Sequence, residues 1–164
     1  MSGNEDWTSH FVAHLESLRK QENRGALAAL RRGLGNPPGT VPAMYPQILP
    51  WAPQNRQAED ACYIVGALFA LHPEPGGNGN MGTAFAMVKE RNESLEKRFV
   101  ALLNCHRDDL PNHLRQAVSL LKSKDVPINW HRLLRDILSW DHDDRFVQQQ
   151  WAREFWQSKA IASP

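Results

Sequence analysis

The sequence lacks the features typical of membrane proteins and of disulfide-stabilised secreted proteins. Its 164 residues contain no run of about 18 apolar residues, so no membrane span is predicted. Residues 1–6 are polar and acidic, unlike a secretory signal. Cys62 and Cys105 lie far apart without Cys-x-x-Cys spacing. We therefore expect Cys62 in its apolar run to be a buried thiol, no disulfide framework, and a cytoplasmic protein.

Motifs of the common enzyme classes are also missing. The chain has no Gly-x-Ser-x-Gly, no zincin helix and no phosphate loop. Glycines surround asparagine in the segment 73–82, but no Gly-Lys-Ser/Thr follows and no strand precedes it. No stretch alternates polar and apolar residues as strands do. The predicted fold class is all-α, a compact helical domain with a C-terminal helical bundle.

Apolar residues recur at helical spacing along most of the chain. The predicted helices span residues 6–21, 24–32, 54–71, 83–91, 95–104, 110–121, 130–140 and 143 onward. The predicted N-caps are Thr8 or Ser9, Asn23, Ser94, Asp109 and Asn129. We expect one domain, 1–164, with an N-terminal half (about 6–72) and a C-terminal bundle (about 83–157) joined by the Gly-rich segment.

A sharp corner is predicted inside the stretch 25–53. Arg31 and Arg32 fall in the last helical turn, Gly33 ends the helix, and a proline-rich segment follows. The apolar anchors expected in that segment are Met44, Tyr45, Ile48, Leu49 and Trp51. The helix dipole accounts for one arginine. Two in a row leave at least one side chain for an external anion.

Two histidine patterns are candidates for metal binding. His10 and His14 are four residues apart on one helical face, but no third ligand lies nearby. His142 and Asp143 form a His-Asp doublet, as in the all-α metal-dependent phosphohydrolases. That family also needs a later aspartate, and none follows Asp144. The acids at 141–144 also fit the start of a helix.

Local charge is more informative than the net charge of +1. Between residues 89 and 135, ten lysines and arginines oppose six carboxylates. This excess fits either a solvated face of a helical bundle or a surface for backbone phosphates. Composition leaves both open.

The order of several motifs resembles the CasB family, the small subunit of the type I-E CRISPR Cascade complex. The N-terminal motifs are Ala-Leu-Arg-Arg-Gly at 29–33, Val-Pro-Ala-Met-Tyr-Pro at 41–46 and the apolar run at 58–70. The C-terminal motifs are Met-Gly-Thr-Ala at 81–84, Glu-Lys-Arg-Phe at 96–99, Leu-Arg at 114–115 and Asn-Trp-His-Arg-Leu-Leu at 129–134. The resemblance covers residues from about 11 to 155.

The resemblance implies a non-catalytic all-α subunit, without cofactor or metal, that helps to hold the R-loop. Its implied partners are the other Cascade subunits, a second copy of itself, target DNA and the guide RNA backbone. The implied nucleic-acid-binding residues are Arg31, Arg32, Arg56, Lys97, Arg98, Arg107, Arg115 and Arg145. Two regions depart from more basic relatives, since the Gly-rich segment has no lysine and 141–144 is acidic. A phosphohydrolase using His142 and Asp143, or a helical adaptor that binds only protein, remains the alternative.

Overall fold

The computed structural model describes the chain from residue 3 to 162, and its side chains from 7 to 157. The all-α prediction is confirmed, since this range contains helices and no strand. The α-helices are α1 (Gly3–Lys20), α2 (Arg24–Arg31), α3 (Tyr45–Ile48), α4 (Arg56–Leu71), α5 (Met81–Ala86), α6 (Glu93–Asn104), α7 (Leu110–Ser123), α8 (Trp130–Leu138) and α9 (Phe146–Ala162). Pro42–Met44 and Arg107–Asp109 form 3₁₀ turns. Within the described range, no helix has the length and apolar character that a membrane crossing requires.

The chain divides into two compact units, the first ending at Pro73 and the second beginning at Glu74. In unit 1, α4 is buried along most of its length and contacts α1, α2 and α3. Gly66 permits this packing. A Cβ there would lie 3.0 Å from Ile48 Cδ1 on α3 and 3.2 Å from Leu30 Cδ2 on α2. Cys62 is a buried free thiol, as predicted, and Cys105 is buried and free as well. Burial raises the pKa of Cys62 to about 12 and of Cys105 to about 11.

Two of the predicted N-caps are confirmed. The Asn23 side chain accepts a hydrogen bond from Ala26 N at 3.1 Å, and the Asn129 side chain accepts one from Arg132 N at 3.0 Å. Each asparagine thereby satisfies a backbone donor that the first helical turn leaves without a partner.

The other cap predictions are wrong. Thr8 and Ser9 lie inside α1, which begins at Gly3. Asn92, two residues before Ser94, caps α6 by accepting from Leu95 N at 2.8 Å. Asp109 makes no side-chain cap, because the 3₁₀ turn that contains it continues directly into α7.

Two helix boundaries in unit 2 also differ from prediction. α5 ends at Ala86 and not near 91, because Met87 N is shared between the carbonyls of Thr83 and Ala84 and closes the last turn. α9 begins at Phe146 and not at 143, so the acids at 141–144 precede the helix.

The core of unit 2 is built on the contact between α5 and α9. A Cβ at Gly82 would collide with the Trp151 carbonyl, so the two backbones approach each other directly. The Trp151 ring is fully buried, and its Nε1 donates to the buried Asp136 carboxylate at 2.7 Å. Arg132 Nε donates to the same carboxylate at 3.2 Å. Burial raises the pKa of Asp136, and these two donors oppose that shift.

We predict that Gly82→Ala destabilises unit 2 by about 1–3 kcal/mol or more, because the added methyl must displace α9 backbone. Thermal unfolding measures this effect. Gly25→Ala is the matched control, since the nearest atom to a Cβ there is 3.9 Å away and alanine favours a helix. Equal melting temperatures for the two variants would contradict the proposed role of the Gly82 contact.

His14 makes the stability of unit 1 dependent on pH. Its ring stacks on Trp51 with centroids 3.4 Å apart, and Nε2 donates to Gln47 Oε1 at 3.0 Å. Burial lowers the pKa of His14, and the hydrogen bond to Gln47 only partly offsets this. The unfolded chain therefore takes up a proton at His14 at a higher pH than the folded chain does.

We predict that unit 1 loses stability as the pH falls below about 6.5, the ordinary pKa of histidine, towards the lower folded value. Denaturant titrations on either side of that pH, followed by tryptophan fluorescence, test this. His14→Phe keeps a stacking ring without a titrating group and should lose this part of the pH dependence. An unchanged pH profile in His14→Phe would show that other groups are responsible.

Candidate nucleic-acid interface

Unit 1 has a basic surface on and just after α2. Residues 23–58 contain Arg24, Arg31, Arg32 and Arg56 and no carboxylate. Arg24 and Arg31 are seven residues apart, so they share one face of α2, about 10 Å apart along its axis. Arg24, Arg31 and Arg32 are all exposed. This surface presents positive charge with no acid in the same segment.

The two corner arginines differ in their contacts. Arg31 Nε donates to the carbonyl of Ala70 at 3.4 Å, near the C-terminal end of α4. That carbonyl belongs to the last turn of α4, which lacks intrahelical donors. Arg32 makes no side-chain hydrogen bond or ion pair within residues 7–157. Arg32 is therefore the side chain more available to an external anion.

The proline-rich segment after the corner follows the prediction only in part. Met44 and Ile48 are buried, and Trp51 stacks on His14. Leu49 is 45% exposed, so its prediction as an anchor is wrong. It lies just after α3, and the residue before it, Ile48, takes the buried position.

The second basic surface is in unit 2, on the hairpin formed by α6 and α7. The two helices contact each other and are joined by the five residues 105–109. On α6, Lys97 is 3.6 Å from Glu93, an exposed pair one turn apart. Arg98 is exposed and has no hydrogen-bond or ion-pair partner in the described part of the chain.

The exposed face of α7 carries no carboxylate. It consists of two cations and four uncharged hydrogen-bonding side chains: Asn112, Arg115, Gln116, Ser119, Lys122 and Ser123. Arg115 and Lys122 are seven residues apart on this face, as Arg24 and Arg31 are on α2. These are the side-chain types that bind backbone phosphates.

Arg107 and Arg145 make contacts within unit 2. Arg107 forms an ion pair with Asp141 and donates from Nη2 to the Ile137 carbonyl at 2.8 Å. Arg145 Nη2 donates to the Leu103 carbonyl at 2.7 Å, at the C-terminal end of α6. Trp140 Nε1 donates to the Cys105 carbonyl at 3.2 Å. We call these four contacts the turn clamp, because they attach residues 103–107 to the end of α8 and to the turn between α8 and α9.

Arg56, at the first position of α4, faces a different environment. Its side chain is 91% exposed and lies 3.9 Å from the Asp60 carboxylate one turn later. An exposed pair of this kind contributes little stability. The neighbouring carboxylate nevertheless reduces the positive potential that Arg56 offers to a phosphate.

Two further exposed cations, Arg24 and Lys122, were not among the predicted contacts. Their seven-residue spacings to Arg31 and Arg115 and the apolar stripes of α2 and α7 were visible in the sequence, so both cations could have been predicted.

The histidine patterns do not assemble a metal centre. His142 Nδ1 accepts from Asp144 N at 3.2 Å, and its ring lies edge-on to Phe146. His14 is engaged by Gln47 and Trp51, as described above. Across the described residues, no group of three His, Cys, Asp or Glu side chains could hold a metal ion. No observation therefore favours the phosphohydrolase alternative.

Fold and surfaces together define an all-α protein with exposed cations on and just after α2 and on the carboxylate-free face of α7. Residues 26–156 match the family model described as CRISPR-associated protein Cse2. The chain is 38% identical over 154 residues to the CRISPR-associated protein Cse2 of Thermus thermophilus, covering 89% of this chain and 88% of that protein. The chain therefore belongs to the Cse2 family, also called CasB, as the resemblance indicated.

Solved structures agree with this assignment. The crystal structure of CasB from Thermus thermophilus superposes with a TM-score of 0.82 at 35% identity, covering 92% of this chain and 97% of that one. A chain of a CRISPR RNA-guided surveillance complex superposes with a TM-score of 0.83 at 26% identity, covering 97% and 96%.

We predict that Arg107→Ala lowers the stability of unit 2 by about 1–3 kcal/mol. The substitution removes a charged donor, so the Asp141 carboxylate loses its ion pair and the Ile137 carbonyl loses its hydrogen bond. Arg107→Lys should also be destabilising, because lysine keeps the charge but not the forked donors. Asp141→Asn should cost about 1 kcal/mol or less, as for a part-exposed pair. Thermal unfolding provides the comparison.

The same variants separate a clamp from a phosphate contact. If Arg107 acts only in the turn clamp, folded Arg107→Ala binds nucleic acid with the salt dependence of the parent chain, whereas loss of a phosphate contact lowers the slope. If Arg107→Lys is as stable as the parent, Arg107 does not act in the clamp.

Proposed function

We propose that this chain is the non-catalytic small subunit of a type I-E Cascade surveillance complex. In this role it binds the backbone of nucleic acid and stabilises the R-loop during antiviral defence in the cytoplasm. Support comes from membership of the Cse2 family and from the likeness to a chain of an RNA-guided surveillance complex. The proposed partners are the other Cascade subunits, a second copy of this chain, target DNA and the guide RNA backbone.

The observation that carries the proposal is the lack of carboxylates beside the exposed cations of α2 and α7. α7 presents Arg115 and Lys122 among neutral donors, and α2 presents Arg24 and Arg31. Such faces neutralise phosphates without reading bases. A subunit that leaves sequence recognition to base pairing by a guide RNA needs no base-reading motif, as in the RNA-guided effector of another class.

The proposed contacts follow from the geometry of each side chain. Arg32, Arg98 and Arg115 are exposed and have no side-chain partner among residues 7–157, so we assign them the main phosphate contacts. Arg31 and Lys97 contribute beside internal partners. Arg107 and Arg145 hold the turn clamp, so any phosphate contact from them competes with protein carbonyls. Arg56 is the weakest of the predicted contacts, because Asp60 lies next to it.

The two units are proposed to act together as one domain. The family model extends from residue 26 to 156 and so includes parts of both. The Gly-rich segment 73–82 is the proposed connection.

We predict that the triple variant Arg32→Ala, Arg98→Ala, Arg115→Ala weakens nucleic-acid binding and makes it less dependent on salt. Each lost phosphate contact should reduce the slope of log K against log salt by about 0.7–0.9. Titration of single-stranded and duplex DNA at several salt concentrations measures the slope, and R-loop lifetime is measured in the assembled complex.

Arg153→Ala is the control for loss of surface charge, since Arg153 is exposed on α9 next to Glu154. It should leave the slope unchanged. An unchanged slope and R-loop lifetime in the triple variant would overturn the proposed contacts. Absence of DNA retention at low salt, both free and in the complex, would favour a protein-only adaptor.

A further inference from the structure

Unit 1 contains an open cleft of about 690 Å³ at the N-terminal end of α4. One side is formed by the turn at 38–40 and by α3, and the other by the first two turns of α4. The lining combines apolar or aromatic residues with three charged ones: Tyr45, Leu49, Tyr63, Arg56, Glu59 and Asp60. None of the contacts already assigned to nucleic acid, apart from Arg56, belongs to this cleft.

Tyr63 provides a polar group with no partner in the cleft. The residue is only 5% exposed, yet its hydroxyl makes no hydrogen bond to any residue of the described range. By contrast, the Tyr45 hydroxyl donates to the Gly39 carbonyl at 2.9 Å. Burial, together with the charges of Glu59 and Asp60, raises the pKa of Tyr63, so its hydroxyl stays neutral. The Tyr63 ring is buried, but its hydroxyl opens into the cleft and is therefore available to a ligand.

The charges of the cleft oppose an anionic ligand. Glu59 and Asp60 are both half-buried in the lining, whereas the Arg56 side chain extends almost fully into solvent. Two carboxylates against one arginine leave a net charge of −1. A phosphate that approaches the cleft would therefore meet charges of its own sign. The negative electrostatic potential of the cleft disfavours nucleic acid at this position.

A lysine or arginine side chain complements every feature of this lining. Its head group has only donors, three in lysine and five in arginine, and the cleft offers two carboxylates and a phenolic oxygen as acceptors. Its alkyl stem can lie along Leu49 and the aromatic rings, because long basic side chains bury their stems on apolar surface. Leu49 is 45% exposed without such a neighbour.

We propose that this cleft binds a lysine or arginine side chain presented by a protein segment of another subunit of the complex. The proposal rests on the proposed function, because it takes the partner from the surveillance complex. It assigns unit 1 two surfaces of opposite charge, with the basic face of α2 for nucleic acid and the acidic cleft for protein.

The test compares variants that remove negative charge from the cleft with one that removes its positive charge. Each variant is assembled with the other Cascade subunits and guide RNA. The double variant Glu59→Gln, Asp60→Asn should reduce retention of this subunit by about tenfold, in the range measured for close interfacial charge pairs. Tyr63→Phe, which removes only the hydroxyl, should reduce it by severalfold. Arg56→Ala removes the one cation of the cleft, so this variant should be retained more strongly than the double variant.

The controls separate this proposal from the nucleic-acid role. The isolated double variant should bind DNA with the slope of the parent chain. If the parent chain binds no DNA, both free and in the complex, the proposed function is in error, and loss of retention in the double variant still supports the cleft. Melting temperatures identify unfolded variants, and Tyr63→Phe remains informative because it changes a single atom.

Three results would overturn the proposal. The first is unchanged retention in both the double variant and Tyr63→Phe. The second is a loss of retention in Arg56→Ala as large as in the double variant, which would indicate an anionic ligand. The third is a loss confined to self-association, which would identify a second copy of this chain as the occupant.

Discussion

The direct backbone contact of α5 with α9 at Gly82 is the constraint on which unit 2 depends. Because no side chain separates the helices there, Trp151 sits fully buried and reaches Asp136 on α8. The same approach brings Phe155 against Phe99 of α6, with ring centroids 4.5 Å apart. α6, α8 and α9 are thus tied to one packing arrangement. Because α6 packs on α9, this arrangement also fixes the position of the α6–α7 hairpin and its basic face.

The arginines of this chain divide into internal and external groups, and their partners decide which is which. Arg91 places its guanidinium 3.8 Å from the Phe155 ring centre and donates to the Phe155 carbonyl at 3.1 Å. Arg107 and Arg145 similarly hold carbonyls near helix ends. Arg32, Arg98 and Arg115 are left exposed. A count of basic residues in 89–135 therefore overstates the charge available to a phosphate backbone.

The sequence predicted the helices well where capping and periodicity agreed, as at Asn23 and Asn129. The prediction failed where two nearby residues could both act as the N-cap, since Asn92 and not Ser94 caps α6. Local patterns do not contain the hydrogen-bond geometry that selects one cap over another. The candidate site was predictable as a set of basic residues, because motif order placed the chain in its family. The turn clamp was not, since Arg107 and Asp141 are 34 positions apart.

The sequence by itself determined the fold class, the family and the residues that can carry positive charge, because these follow from periodicity, composition and motif order. Only the tertiary structure decided how each arginine is used. Arg31 and Arg32 are adjacent in sequence, yet one donates to a carbonyl of α4 and the other has no internal partner in the described part of the chain. It also decided that Arg56 stands beside an acidic cleft. Long-range packing sets which distant carbonyl or carboxylate each arginine contacts, and no local pattern encodes that.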